Sequence, residues 1–236
     1  MPDRSTPFIA SFHVWRCIAV LGATTALMGL TAQAQTPTPP SGDAKAGAAI
    51  AHNGVPPAVA ACTSCHGANG EGSAAFPPLA GTGADYLRQQ LDAFADGSRN
   101  QAVMAPIAKG LNEKARADVA AYYASLPSNI AAPTGNAPTP DPANAGAWLV
   151  LRGRMADGIP ACASCHGPTG AGVGTHFPAI AKLSAAYMQE QVEAWKSNAR
   201  GPGPLGLMQS IGKKLSSKDV QAVADYYAAQ SGSPAK

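Results

Sequence analysis

The chain has 236 residues, of which 13% are charged and only 6% are aromatic, and its formal net charge is +3. This nearly balanced charge argues against nucleic acid as a partner, because a protein that binds nucleic acid needs a basic face. The shortage of aromatic residues means that small domains built from this chain would have little core of their own.

The N-terminal residues 1–34 are predicted to be a secretory signal peptide. Arg4 and Arg16 precede an apolar run from Cys17 to Leu30, and Thr31-Ala32-Gln33-Ala34 then offers an Ala-x-Ala cleavage site. The run is shorter than the ~20 apolar residues that span a bilayer. We therefore expect no transmembrane span in the mature chain, with an uncleaved N-terminal anchor as the alternative.

The remainder of the chain is an internal duplication. It predicts a first domain at 35–126, a linker at 127–142 that is rich in Pro, Ala, Thr and Asn, and a second domain at 143–236. Phe76-Pro77-Pro78-Leu79 of the first copy, for example, corresponds to Phe177-Pro178-Ala179-Ile180 of the second.

Helical patterns dominate both copies. In the first copy a helix opens at Asp43, a second covers Ala84–Asp96, and a third begins after an Asn112 cap and ends at Ser125. The second copy repeats these helices near 143–153, 184–198 and 216–229. The sequence has no alternating pattern bounded by hairpin turns, so both domains are predicted to be all-α.

Each copy carries the motif Cys-x-x-Cys-His, as Cys62-Thr63-Ser64-Cys65-His66 and as Cys162-Ala163-Ser164-Cys165-His166. This motif is the covalent attachment signature of c-type haem. On a helical turn its three side chains share one face, so the thiols can bond the two haem vinyl groups while the imidazole reaches the iron. We predict two covalent haem c groups, held by Cys62, Cys65, Cys162 and Cys165, with His66 and His166 as iron ligands.

Other interpretations of these cysteines explain less. A thioredoxin-like site would have a βαβ context and would need no histidine, and a structural zinc site needs four ligands at short spacings. A disulfide between Cys62 and Cys65 would leave the repeated histidine unexplained. Loss of Cys17 with the signal would leave no spare thiol, which is consistent with export to an oxidising periplasm.

An iron held by one histidine needs a ligand on its opposite side. Met104 is the only methionine of the first domain, and its repeat counterpart is Met208. We predict that both are axial ligands carried by loops, although a lone methionine is more often core filler. Met155 and Met188 compete in the second domain.

Two histidines outside the motifs, His52 and His176, are rival ligands, but they do not correspond between the two copies. Met/His ligation would close both axial positions to substrates and raise the reduction potential relative to bis-His ligation. Pro77 and Pro178 follow the motif histidines by 11 and 12 residues. A backbone carbonyl there is expected to accept the imidazole Nδ1–H.

On these motifs the chain resembles the dihaem cytochrome c4 family over roughly residues 42–230. The most particular stretches are Phe76-Pro77-Pro78-Leu79-Ala80-Gly81 and the run from Tyr86 through Gly97-Ser98-Arg99 to Met104-Ala105-Pro106. The resemblance implies a tandem duplication of the class I cytochrome c fold, with an approximate two-fold axis and haem propionates facing each other. It also implies a periplasmic carrier between a quinol-oxidising cytochrome bc complex and a haem–copper terminal oxidase.

Two other functions are open at this point. The chain can be the electron-accepting cytochrome subunit of a periplasmic dehydrogenase, such as a flavin- or molybdenum-dependent oxidiser of sulfur compounds or alcohols. A dihaem enzyme, such as a peroxidase or a thiosulfate-oxidising cytochrome, would need an open iron or a cysteine ligand. Because the mature chain has no spare cysteine, we expect an electron-transfer protein rather than an enzyme.

Overall fold

The computed structural model describes residues 41–128, 130 and 139–230. The predicted signal peptide and most of the predicted linker lie outside these residues. The first half contains α1 (Ala44–Asn53), α2 (Thr63–His66), α3 (Ala84–Asp96), α4 (Met104–Lys109) and α5 (Glu113–Ser125). The second half contains α6 (Ala145–Leu151), α7 (Ala163–His166), α8 (Ala185–Lys196), α9 (Leu207–Gly212) and α10 (Ser217–Gln230).

The all-α prediction is confirmed for the described ranges, in which the only β-pairing consists of isolated bridges. The two predicted caps of the first half are also present. The Asp43 carboxylate accepts hydrogen bonds from the backbone N–H groups of Lys45 and Ala46, and Asn112 Oδ1 accepts one from Ala115. These side chains satisfy amide groups that the first turn of a helix leaves without partners.

Each half places its first helix across its last one. Gly47 of α1 contacts α5 so closely that a Cβ atom would overlap the carbonyl oxygen of Asp118. Gly146 of α6 meets α10 in the same way, at the carbonyl oxygen of Ala222. Only glycine permits this approach. The helices α5 and α10 also carry the buried rings of Tyr123 and Tyr227, which belong to the respective cores.

Two short helices occupy positions that the sequence analysis assigned to loops. Met104 begins α4 and Met208 is the second residue of α9, so the prediction that these methionines lie in loops was wrong. Each helix has only six residues, and neither N-cap residue caps it with its own side chain, although Gln101 Oε1 accepts hydrogen bonds from the N–H groups of Val103 and Met104 at the start of α4. Because helices this short are not stable by themselves, they depend on packing, of α4 on α3 and of α9 on α8.

The two halves meet through reciprocal contacts. The backbone N–H of Asn100 donates to the carbonyl of Ala199 at 2.7 Å, and that of Gly201 donates to Ser98 at 2.6 Å. Reciprocity of this kind is what a two-fold axis produces between repeated units. Across the described ranges no helix is both long and apolar enough to cross a bilayer.

Candidate haem-binding sites

Each Cys-x-x-Cys-His motif forms one turn of helix. In the first half the N–H of His66 donates to the carbonyl of Cys62 at 2.9 Å, and His166 repeats this bond with Cys162 at 2.9 Å. Residues three and four apart therefore share one face of the turn. The four described cysteines form no disulfide, so each motif offers two thiols beside one imidazole.

The two motif imidazoles are buried and held in one orientation. His66 Nδ1 lies 2.8 Å from the carbonyl oxygen of Pro77, and His166 Nδ1 lies 2.7 Å from that of Pro178. A carbonyl oxygen can only accept, so Nδ1 carries the proton and Nε2 keeps its lone pair for a metal. This confirms the expected role of both proline carbonyls.

Burial also keeps these rings neutral. Loss of solvent lowers the pKa of His66 and of His166, and the hydrogen bond to each proline carbonyl offsets only part of that effect. Neutral imidazole is the form that binds iron. Burial likewise raises the pKa of the Cys62 thiol, and it raises that of Cys162 to about 11. Two thiols, one neutral imidazole and a fixed tautomer in each half match what covalent haem c requires.

The glycines after each motif serve packing within the protein. Gly70 has a φ of 72°, and a Cβ there would approach Cε1 of Tyr123 to 2.7 Å. Gly170 stands against Tyr227 in the same way. At these two positions the group that the loop approaches is therefore a tyrosine ring.

The methionines differ in their surroundings. Met104 and Met208 are half-buried at the N-terminal ends of α4 and α9. Met188 belongs to the apolar core of the second half, whereas Met155 is 69% exposed. The structure therefore gives Met155 and Met188 other environments, and the assignment of Met104 and Met208 as iron ligands stays a prediction.

The rival histidines lie on the surface. His52 Nε2 is 3.0 Å from the hydroxyl of Tyr122, and His176 is 3.9 Å from a carboxylate oxygen of Asp85. Both imidazoles are exposed, and each has a protein partner outside the motif turns.

A cluster of charged and polar side chains between the halves was missed by the sequence analysis. We call it the interface cluster; its members are Tyr86, Gln90, Arg99, Tyr187, Gln191 and Arg200. The three residues of the first half correspond one by one to those of the second, always 101 positions apart. Comparison of polar positions between the two copies is the signal that could have found it.

Each arginine of this cluster reaches across the interface. Arg99 donates to Gln191 at 2.6 Å and to the hydroxyl of Tyr187 at 2.9 Å. Arg200 donates in return to Gln90 at 2.9 Å and to the hydroxyl of Tyr86 at 3.1 Å. The guanidinium groups also stack on aromatic rings of their own halves, at 4.4 Å from Phe94 and at 4.2 Å from Trp195.

The interface cluster is electrically unusual. Arg99 and Arg200 are each only 7% exposed, and all of their described acceptors are uncharged. Burial lowers the pKa of Arg200. Burial alone would raise the pKa of Tyr86, but the charges of Arg200 and Arg99 outweigh it and lower that pKa. Two buried cations whose described partners are all neutral form a site that favours nearby negative charge.

Known proteins place this arrangement in a family. The family model for cytochrome c matches residues 44–127 and again residues 157–229. A thiosulfate dehydrogenase electron acceptor of Thiomonas intermedia (strain K12) is 47% identical over 184 residues, which cover 77% of this chain and 83% of the relative. A cytochrome c4 of Pseudomonas aeruginosa is 37% identical over 202 residues, covering 84% of this chain and 92% of the relative.

Solved structures agree with these relatives. The reduced recombinant cytochrome c4 from Pseudomonas stutzeri has a TM-score of 0.63 at 32% identity and is covered over 97% of its length, by 79% of this chain. A thiosulfate dehydrogenase (TsdBA) from Marichromatium purpuratum has a TM-score of 0.67 at 35% identity, over 78% of this chain but only 40% of the other.

The repeated match, the helical architecture and the paired haem motifs support one another, and the tandem duplication of a class I cytochrome c fold is confirmed. The chain belongs to the cytochrome c family and, within it, to the dihaem electron-transfer proteins that resemble cytochrome c4.

Proposed function

We propose that this protein carries single electrons in the periplasm and accepts them from a thiosulfate dehydrogenase. The observation that carries the electron-transfer role is the duplicated imidazole, fixed through Nδ1 by Pro77 and Pro178 with Nε2 left for iron. The relatives at 47% and 43% identity that are named as electron acceptors of thiosulfate dehydrogenase support the choice of donor. This is the dehydrogenase alternative of the sequence analysis, and it now takes precedence.

The proposed attachment uses the residues of the two motif turns. Cys62 and Cys65 would hold one haem and Cys162 and Cys165 the other, with His66 and His166 as the proximal ligands. Bound haem supplies a ferric–ferrous couple, which exchanges one electron at a time. The protein fixes the orientation of each imidazole, and its proline carbonyls make the ring a stronger donor to the metal.

Met104 and Met208 are the proposed sixth ligands. Their equivalent placement at the start of α4 and of α9 supports this assignment, as does the different environment of the other described methionines. Ligation by both side chains would close each iron to substrate and make the protein a carrier. Arg99 and Arg200 are the groups that we propose to balance the propionate charge of the haems, since their described partners are all neutral.

The stoichiometry of thiosulfate oxidation fits a two-haem acceptor. Joining two thiosulfate ions through a new sulfur–sulfur bond releases two electrons, and two haems take up one electron each. The dehydrogenase would perform the bond formation, and this protein would only remove the electrons. Residues 1–34 would direct the chain to the periplasm, and the domain boundaries at 126 and 143 remain part of the proposal.

The second candidate is a carrier between a cytochrome bc complex and a haem–copper terminal oxidase. The cytochrome c4 of Pseudomonas aeruginosa, at 37% identity over most of both chains, supports it. The two roles can also be consecutive, because a carrier loaded by a dehydrogenase must pass its electrons to an oxidant.

Stopped-flow absorbance of the holoprotein tests the donor directly. The oxidised cytochrome is mixed with thiosulfate and a catalytic amount of the thiosulfate dehydrogenase of Thiomonas intermedia, and the haem α-band is followed. We expect both haems to be reduced only when enzyme and thiosulfate are both present, while ascorbate reduces them in either case. Haems that ascorbate reduces but the mixture of dehydrogenase and thiosulfate does not would contradict the proposed donor. Reduction by thiosulfate alone would indicate that this protein is itself an enzyme.

A further inference from the structure

The segment that leads to Met208 has an insertion that the first half lacks. Four residues separate Arg99 from Met104, whereas seven separate Arg200 from Met208. The longer segment is Gly201-Pro202-Gly203-Pro204-Leu205-Gly206-Leu207, and Gln209 of α9 donates a hydrogen bond of 3.1 Å to Asn198, which precedes the segment. The repeat therefore provides an internal comparison for this segment.

Leu205 is the unusual residue of the insertion. Its side chain is 92% exposed, and its backbone has a φ of 56° and a ψ of 8°, in the left-handed region that leucine rarely adopts. A large apolar side chain held in solvent by a costly backbone conformation adds nothing to folded stability. Backbone strain of this kind is typical of functional segments, and together with the exposed side chain it points to a contact outside the chain.

Other exposed apolar side chains and lysines accompany it in the same half. Leu207 begins α9 and is 43% exposed, and Lys213 and Lys214 follow that helix at its other end. Lys214 Nζ donates to the carbonyl of Gly158 at 3.1 Å, which brings the turn of the exposed Met155 beside the lysines. We call these five residues the Leu205 surface: Met155, Leu205, Leu207, Lys213 and Lys214.

Charge separates the two halves. Residues 42–126 contain six Lys or Arg and seven Asp or Glu, whereas residues 143–230 contain eight and five. At the corresponding place in the first half, Lys214 is replaced by Gly110, and Leu205 has no counterpart. The second half thus has a basic rim beside apolar side chains, a combination that complements an acidic protein surface.

We propose that the Leu205 surface docks an acidic redox protein, which exchanges electrons with the second domain. Leu207 adjoins Met208, so a partner seated there would lie close to the second haem; this step rests on the proposed ligation by Met208. The first domain, with its net negative charge, would be left for a partner of different surface charge. The two domains would then serve different partners, and electrons would cross between them at the interface cluster.

Voltammetry of the holoprotein on gold tests this docking, with a carboxylate-terminated monolayer as the probe for an acidic surface and an amine-terminated monolayer as its opposite. The variant Lys213→Glu should lower the electron-transfer rate on carboxylate about tenfold, because it reverses a charge of the docking rim. The matched control is Lys109→Glu, the same reversal at the repeat-related lysine, which should change the rate less than about twofold. Equal loss in both variants, or faster transfer on amine, would overturn the proposal.

The apolar part of the surface has its own variant. Leu205→Gly relieves the left-handed backbone, so the protein should fold at least as well, yet its rate on a mixed methyl and carboxylate monolayer should fall. Unchanged transfer would remove Leu205 from the docking surface. Sedimentation with vesicles of equal parts phosphatidylcholine and phosphatidylglycerol tests a lipid surface as the alternative, and Leu205-dependent binding to them would overturn docking of a protein. Ligand binding by Met208→Ala tests the iron ligand separately, so failure of one assignment is distinguishable from failure of the other.

Discussion

Arg99 and Arg200 share the acceptor Gln191, whose side-chain oxygen lies 2.6 Å from a nitrogen of Arg99 and 2.9 Å from a nitrogen of Arg200. Gln90 bridges the same pair from the other half, at 2.9 Å to each guanidinium. Two like charges are thus held together across the domain interface by neutral amides. The arrangement is costly unless negative charge lies nearby, and the propionates of two haems are the groups that we propose for it.

Removal of one of these charges should change both the midpoint potentials of the haems and the stability of the fold. For Arg99→Gln we expect lower midpoint potentials, since a cation near a haem favours the ferrous state, and a free energy of unfolding lower by about 2–4 kcal/mol. Spectroelectrochemical titration and urea unfolding of the holoprotein measure the two effects. Arg152→Gln, on the exposed surface of the second half, is the control. Equal potentials in Arg99→Gln and wild type would mean that the cluster only joins the domains.

The assignment of Met104 and Met208 as iron ligands predicts that each can be tested by its own variant. Met104→Ala and Met208→Ala should each open one iron to carbon monoxide or imidazole while both haems stay attached. Absorbance titration of each variant checks this, and Met155→Ala, at an exposed position, should behave as wild type. A variant that stays six-coordinate and inert to added ligands would show that its methionine is no ligand.

The contact between α1 and α5 predicts that one glycine-to-alanine substitution inside a helix destabilises the protein. Alanine in place of glycine inside a helix usually raises the free energy of unfolding by about 1 kcal/mol. In Gly47→Ala, however, the new Cβ would overlap the backbone of Asp118. We therefore expect the free energy of unfolding to fall by about 1–3 kcal/mol. Gly97→Ala is the comparison, because no atom lies within 4 Å of its Cβ and only the φ of 86° costs energy. Thermal unfolding that ranks Gly47→Ala as the milder change would contradict the close packing of α1 on α5.

Acid stability of the second half should depend on one ion pair. Hydrogen bonding from Arg154 holds the pKa of Asp219 well below its ordinary value of 3.8, against the opposing effect of burial. A lowered folded pKa means that the stabilisation is complete above the unfolded pKa and is lost as the pH falls towards the folded one. Asp219→Asn should therefore flatten the decline of unfolding free energy below about pH 4. Urea titrations at several pH values measure this, with Asp225→Asn as control; parallel curves for wild type and Asp219→Asn would exclude the pair as the cause.

Much of the helical framework is predictable because its determinants are local. The bounds Ala84–Asp96 follow from apolar spacing, and the caps Asp43 and Asn112 mark the starts of α1 and α5. The haem motifs are equally local, since two thiols and an imidazole must share one turn. The proline carbonyls that orient His66 and His166 could be anticipated from their spacing in both copies.

The remainder depends on contacts between distant parts of the chain. Helices α4 and α9 are too short to form by themselves, and Pro106 stands inside α4, so only packing on α3 and α8 reveals them. The interface cluster joins residues 88 to 114 positions apart. No periodic pattern marks such pairs, although the spacing of 101 between Arg99 and Arg200 and between Gln90 and Gln191 was visible in the repeat.

Low-temperature EPR of the fully oxidised holoprotein tests the central claim most directly, because it reports the ligands of both irons at once. The account predicts two low-spin ferric signals with Met/His character, assigned to the two domains by their loss in Met104→Ala and in Met208→Ala. A high-spin signal in the wild-type protein, or a low-spin signal of bis-His or thiolate character, would contradict two closed electron-transfer sites.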